Sequence, residues 1–179
     1  MIAIIDYGVG NLFSLKSSLA AIGREAVVTG DRAVLRAASH VILPGVGAFG
    51  DAAARLRAAG MAEAVLEAAA AGKPVLGICL GMQLLLERSF EYGEHPGLGL
   101  IPGEVRPIRD VIPAGLAVPH MGWNALRFPA ERPRSPIFAA LEEGEHVYFV
   151  HSYAGFACGE GLTAWTEYLS LIHISEPTR

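Results

Sequence analysis

The sequence predicts an α/β domain in which a mostly parallel sheet is covered by helices on both faces and carries an antiparallel extension. Strand and helix signals alternate through the first half of the chain, glycine-rich loops follow several of the strands, and the texture changes to short, Gly- and Pro-punctuated β candidates after Ser89. Strand-like runs cover 2–5, 26–29, 41–43 and 75–78, and helical spacing covers 12–22, 32–38, 52–71 and 82–87. In such an alternation ligands gather at the carboxyl ends of the parallel strands. Three loops leave those ends: Tyr7-Gly8-Val9-Gly10-Asn11, Pro44-Gly45-Val46-Gly47-Ala48-Phe49-Gly50, and the turn at Cys79. Residues 92–136 are rich in Gly and Pro, with β candidates at 105–108 and 116–119, and further strands are expected over 145–151 and 162–168.

A chain of 179 residues suits one domain able to bury most of the surface its unfolded form exposes. It is 52% hydrophobic and 18% charged, with a formal charge of −4 and scattered arginines, so it offers no basic footprint for nucleic acid. Two cysteines make no disulfide framework, which points to a reducing, cytoplasmic compartment. The apolar start at Met1 has no basic flank and stops within a few residues, unlike a signal peptide. The alanine-rich stretch 52–71 is interrupted by Arg55, Arg57, Glu63 and Glu67, so it reads as amphipathic helix rather than a membrane span. His40, His95, His120, His146 and His151 show no paired ligand spacing, and no metal site is expected.

The most informative residue is Cys79, in Gly77-Ile78-Cys79-Leu80-Gly81-Met82-Gln83 directly after the apolar run Pro74-Val75-Leu76. That order is strand, sharp turn, nucleophile and helix. Glycines two residues either side let the backbone turn without Cβ clashes, and a helix starting under the sulfur favours thiolate over thiol. The hydroxyl version of this turn is the nucleophile elbow of α/β hydrolases. A buried cysteine acting as a small hydrophobe is the competing reading. Gly8-Val9-Gly10 after the first strand suggests a dinucleotide loop, but Phe13 stands where the third glycine belongs. Asn11 is placed to cap the following helix.

The turn at Cys79 resembles that of the class I glutamine amidotransferases, whose glutaminase domain releases ammonia from glutamine through a cysteine thioester. Asp6-Tyr7-Gly8-Val9-Gly10-Asn11, Leu43-Pro44-Gly45-Val46-Gly47-Ala48-Phe49, Pro119-His120-Met121-Gly122-Trp123-Asn124 and Tyr148-Phe149-Val150-His151-Ser152-Tyr153 narrow the resemblance to the glutaminase subunits of imidazole glycerol phosphate synthases, in histidine biosynthesis. The resemblance implies a flavodoxin-like, three-layer fold, no dissociable cofactor, glutamine as substrate and a (β/α)8-barrel cyclase subunit as partner. It makes Cys79 the nucleophile and gives the oxyanion hole to the backbone N–H groups of Leu80 and Val46. Gly47, Gln83, Ser152 and Tyr153 then lie against the bound glutamine, and Asn11 against the partner. For Gln83 a solvated helix position is the alternative, and for Tyr153 core packing.

In the family the base lies in a later His-Pro-Glu segment, which these residues do not contain; His120 and His151 do not match it, so hydrogen bonding is expected of them instead. Residues 1–168 are therefore expected to form a glutamine amidotransferase domain incomplete at its C-terminus. Residues 169–179 resemble a translated sequencing adapter and are expected to be a non-native tail, so His173 and Glu176 receive no catalytic role. A chain of this kind is expected to be a poor glutaminase. A non-catalytic synthase-binding fragment and a glutaminase of another pathway, such as pyridoxal phosphate synthesis, are the alternatives.

Overall fold

The computed structural model describes residues 1–131, 133–168 and 171–175. Strand β1 (Ile2–Ile5), helix α1 (Leu12–Ala21), β2 (Ala26–Thr29), α2 (Arg32–Ala37), β3 (His40–Leu43), α3 (Phe49–Ala58), α4 (Met61–Ala70), β4 (Val75–Gly77) and α5 (Leu80–Leu84) realise the expected alternation. The four strands form an all-parallel sheet in the order β2-β1-β3-β4. Side chains of consecutive strand residues point to opposite faces. Ala3, Ile5, Val41 and Leu43 join the main core with Phe49, Ala52, Ala53 and Leu56 of α3 and Met61, Val65 and Ala68 of α4, all buried. Helix α1 lies beside β2 and has no buried residue of its own, with Phe13 83% exposed.

The stretch 52–71, read as one helix, is two. Helix α3 ends at Ala58, Gly60 takes φ +68, and α4 starts at Met61. Alanine's helix propensity concealed the break, whereas the left-handed backbone at Gly60 is a common way to end a helix. Helix α5 starts two residues before the expected 82 and ends three residues before 87. It is one turn long.

Beyond it the chain forms a mixed sheet in the order β11-β12-β10-β7-β5-β6 and a separate hairpin β8-β9. The strands are β5 (Arg88–Ser89), β6 (His95–Pro96), β7 (Glu104–Pro107), β8 (His120–Ala125), β9 (His146–His151), β10 (Tyr153–Phe156), β11 (Leu162–Glu167) and β12 (Leu171–Ser175). The candidate at 116–119 is not a strand; pairing begins at His120, one residue past Pro119, which has no N–H to donate. Strand β12 pairs with β11 and touches β10, so residues 171–175, set apart as a tail in the sequence reading, take part in the sheet. Leu171, Ile172 and Ile174 are apolar, and the two β-branched isoleucines favour extended backbone in strand pairing. The rest of that segment, 169–170 and 176–179, lies outside the described residues.

The architecture is therefore an α/β fold of flavodoxin-like type with a mixed, largely antiparallel extension. Among the described residues, no helix is long and apolar enough to cross a membrane.

Candidate active site

Cys79 sits immediately after β4 and caps α5, with φ +55 and ψ −118, one of three non-glycine residues held at positive φ among the described residues. This is a sparsely populated region for an L-residue and costs on the order of 1–3 kcal/mol. The surrounding glycines explain how the turn closes. A Cβ on Gly77 would lie 2.5 Å from Met82 Cα, and one on Gly81 would lie 1.9 Å from the Leu43 carbonyl oxygen. Both positions need a hydrogen in place of a side chain. The strained turn lifts Cys79 to the surface, where it is exposed, while Cys158 is buried. The small-hydrophobe reading therefore belongs to Cys158 and not to Cys79.

The loop after β3 packs directly against this elbow. The Ile78 N–H donates to the Leu43 carbonyl at 3.0 Å, and a Cβ on Gly45 would lie 2.6 Å from the Gly81 nitrogen. The loop after β1 completes the edge: the buried Tyr7 hydroxyl donates to the Pro44 carbonyl at 2.7 Å, and a Cβ on Gly10 would lie 3.1 Å from Pro44 Cβ. Burial raises the Tyr7 phenol well above its ordinary pKa, so it remains a donor throughout the physiological range. Val46 and Gly47 are exposed, with Gly47 at φ +91 and open space where a Cβ would be.

In α5 the N–H groups of Gly81, Met82 and Gln83 donate to the carbonyls of Ile78, Cys79 and Cys79 at 3.0, 3.0 and 3.2 Å. The Leu80 N–H is not among those so engaged. With five residues, α5 is too short for the helix-end field expected from the sequence to be large, because the macrodipole sums over aligned peptides. What distinguishes this turn is its shape and exposure rather than a long helix behind it.

Gln83 is almost fully buried, and its Nε2 donates to the Tyr153 carbonyl at 3.1 Å. It is not a solvated helix residue. Ser152 and Tyr153 form the corner between β9 and β10, with the Ser152 carbonyl accepting from the Ile108 N–H at 2.9 Å. The Tyr153 phenol is raised first by burial and then by the nearby Glu91, Tyr92 and Asp110. Asn11 accepts from the Ser14 N–H at 3.2 Å and is exposed, which makes it the α1 cap.

Further contacts were not read from the sequence. Glu91 Oε2 accepts from the Phe49 N–H at 2.6 Å, capping α3 from a residue 42 positions away. His120 Nδ1 lies 3.0 Å from His151 Nε2, and His120 Nε2 lies 2.8 Å from Asn124 Oδ1. The antiparallel register that faces His120 with His151 follows only once β8 and β9 are paired. Among the described residues, no group of three or more metal-ligating side chains is assembled.

Known proteins match this chain in sequence and in fold. The class I glutamine amidotransferase family profile matches residues 3–175. The chain is 53% identical over 154 residues to the imidazole glycerol phosphate synthase subunit HisH of Sulfurimonas denitrificans, covering 86% of this chain and 72% of that protein. It is 49% identical over 151 residues to the subunit of the same name from Aquifex aeolicus, covering 84% and 70%. Among solved structures it is similar to a glutamine amidotransferase (TM-score 0.69, 19% identity, 93% and 85% covered). It is also similar to PurLQS from Thermotoga maritima (TM-score 0.66, 21% identity, 99% and 76% covered). Those structural likenesses bear on the fold; the sequence matches decide the family. The chain belongs to the class I glutamine amidotransferases, in the group of HisH subunits of imidazole glycerol phosphate synthase.

Proposed function

We propose that this protein hydrolyses glutamine at Cys79 and supplies the ammonia to a (β/α)8-barrel cyclase subunit in histidine biosynthesis. The observation that carries the reading is the exposed Cys79 held at φ +55 on a turn packed against the Gly45 loop. The sulfur attacks the carboxamide carbon of glutamine, and the resulting oxyanion is held by the N–H groups of Leu80 and Val46. Collapse expels ammonia and leaves a thioester. Water then attacks the thioester carbon, releasing glutamate and the thiol. Gly47, Ser152 and Tyr153 hold the amino-acid portion of the substrate, with Gln83 at the floor of the site.

The partner reading is supported by the subunit names of the relatives. An exposed apolar face on β8 and β9, formed by Met121, Trp123, Tyr148 and Val150, is the kind of surface a protein partner covers. Asn11 belongs to the partner-facing edge in this reading. Two cysteines without a disulfide partner fit a cytoplasmic setting.

Among the described residues no imidazole is hydrogen-bonded to the Cys79 sulfur, and the 179 residues contain no His-Pro-Glu segment. A polypeptide of these residues therefore turns glutamine over slowly, because general acid and base catalysis contributes roughly 10²–10⁴-fold. The same observation favours a second reading, a fragment that binds the synthase without hydrolysing glutamine. The test measures glutamate release by this chain, by Cys79→Ala, and by a version extended with a His-Pro-Glu segment, each with the cyclase and its ligand present. Slow, Cys79-dependent release that rises on extension supports the proposal. Release that is insensitive to Cys79→Ala in the extended version overturns it.

A further inference from the structure

The hydrogen bonds around His120 and His151 fix a proton count. Asn124 Nδ2 donates to the Glu167 carbonyl at 2.7 Å, so the Asn124 oxygen is the atom that faces His120 Nε2 at 2.8 Å. An amide oxygen only accepts, so His120 Nε2 carries a hydrogen. His151 Nδ1 faces the Tyr153 carbonyl at 3.0 Å, and His151 Nδ1 carries a hydrogen for the same reason. The remaining nitrogens, His120 Nδ1 and His151 Nε2, are 3.0 Å apart. Were both rings neutral, two lone pairs would face each other there. The contact is attractive only with a third hydrogen, which gives the pair one positive charge.

We propose that His120 and His151 share this proton and act as a positioning pair for the glutamine site, by fixing the Tyr153 carbonyl that Gln83 also uses. The carbonyl is the junction: it accepts from His151 Nδ1 at 3.0 Å and from Gln83 Nε2 at 3.1 Å. Gln83 stands one turn along α5 from the nucleophile. Protonation of the pair is thereby coupled to the substrate side of the site. The importance of Gln83 for glutamine rests on the function proposed above; the proton count does not.

His120 is 1% exposed, so its charge is sheltered from water. Stabilisation comes from rings and dipoles: Tyr168 stacks on His120 with ring centres 3.9 Å apart, and Phe149 lies at 5.7 Å. From β11, Thr166 gives its hydroxyl to the Ala125 carbonyl, and Glu167 contributes its backbone oxygen while its side chain is exposed. Glu91, Tyr92 and Asp110 lie around the Tyr153 phenol. Among the described residues no carboxylate bonds either ring. Burial holds His151 below the ordinary imidazole range, against the opposing pull of the Tyr153 carbonyl. The short contact is therefore present at acid pH and lost as pH rises through a value below that range.

The test is ¹⁵N and ¹H NMR of the imidazoles in the full chain between pH 4.5 and 8. The expected result is three ring N–H hydrogens on the pair at the acid end, two at the alkaline end, and one shared titration that the Gln83 side-chain amide resonances follow. Asn124→Asp places a carboxylate against His120 Nε2 and is expected to raise that apparent pKa by about one unit or more. Two ring hydrogens throughout, an Asn124→Asp titration that does not move upward, or Gln83 resonances indifferent to the titration each overturn the proposal. In Cys79→Ala, glutamine affinity is expected to change across the same pH interval. No glutamine binding at any pH, with Gln83 still tracking the pair, sinks the glutamine reading and upholds the coupled histidines.

Discussion

Gln83 and Tyr153, 70 residues apart in sequence, are joined by one bond from the Gln83 side-chain amide to the Tyr153 carbonyl at 3.1 Å. The bond ties the helix that follows Cys79 to the first residue of β10. The surroundings of Gln83, a substrate contact in the function proposed above, thus depend on docking of the mixed sheet against the parallel one.

Replacing Gln83 tests that dependence. Gln83→Leu leaves the Tyr153 carbonyl with one donor fewer and is expected to cost about 1–3 kcal/mol, read as a lower urea midpoint with an unchanged slope. Gln83→Glu costs more at pH 7, where a carboxylate would face a carbonyl oxygen. Its deficit shrinks as pH falls, because a protonated acid regains a donor. An equal deficit at pH 5 and pH 8 would count against the contact.

The glycines of the elbow give a second prediction. Gly81→Ala drives a methyl to 1.9 Å from the Leu43 oxygen, and Gly77→Ala drives one to 2.5 Å from Met82 Cα, both backbone atoms that cannot swing aside. Each is expected to cost more than about 3 kcal/mol or to prevent folding, as steric overlap in a packed region does. Gly122→Ala, where the nearest atom is 3.8 Å away, is the control and changes stability by less than about 1 kcal/mol. Thermal unfolding of the three variants separates these outcomes.

How much of this was legible in the sequence follows from the range of the forces involved. Strands β1 and β2 were read at their observed ends, since their apolar β-branched runs stop at local signals, Asp6 and Gly30. The turn at Cys79 was legible because it is a local motif, with Gly77 and Gly81 each two residues from the cysteine. The break at Gly60 was missed under a run of alanines that would each continue a helix. The Gln83–Tyr153 contact depends on a helix packing against a strand 70 residues away and the His120–His151 contact on strand pairing over 31 residues, and no local pattern encodes a partner at that distance. The field of α5 was overestimated because the sequence does not say that the helix stops after one turn.

A third prediction concerns acid. Glu104 accepts from Arg106 at 2.6 Å and from Arg88 at 3.1 Å, and these guanidinium groups hold its carboxyl below the ordinary carboxylate value. The contribution is fully present above the unfolded-state pKa and is lost as pH falls through the lowered folded value. Both arginines are half exposed, so screening limits the effect to about 1 kcal/mol or less. Glu104→Gln should lower stability slightly at pH 7, by a deficit that shrinks as pH falls below the unfolded-state value. A deficit that persists undiminished to pH 3 would assign the loss to packing instead.

The strain at Cys79 yields the last prediction, in which stability and catalysis pull apart. A side chain at φ +55 and ψ −118 costs on the order of 1–3 kcal/mol, and that cost comes from the Cβ rather than the sulfur. Cys79→Ala keeps the Cβ and keeps the strain, so it should leave stability near that of the parent. Cys79→Gly removes the Cβ but adds freedom to the unfolded chain, a loss of roughly 0.5–1 kcal/mol. The strain is the larger quantity, so Cys79→Gly should be more stable than both the parent and Cys79→Ala, by about 1 kcal/mol. For a domain of this size that is a rise of roughly 2–4 °C in Tm. Both variants lose the thiol. Equal melting temperatures for the two would mean that the turn is not strained, and would remove the main reason for reading it as a site shaped for chemistry.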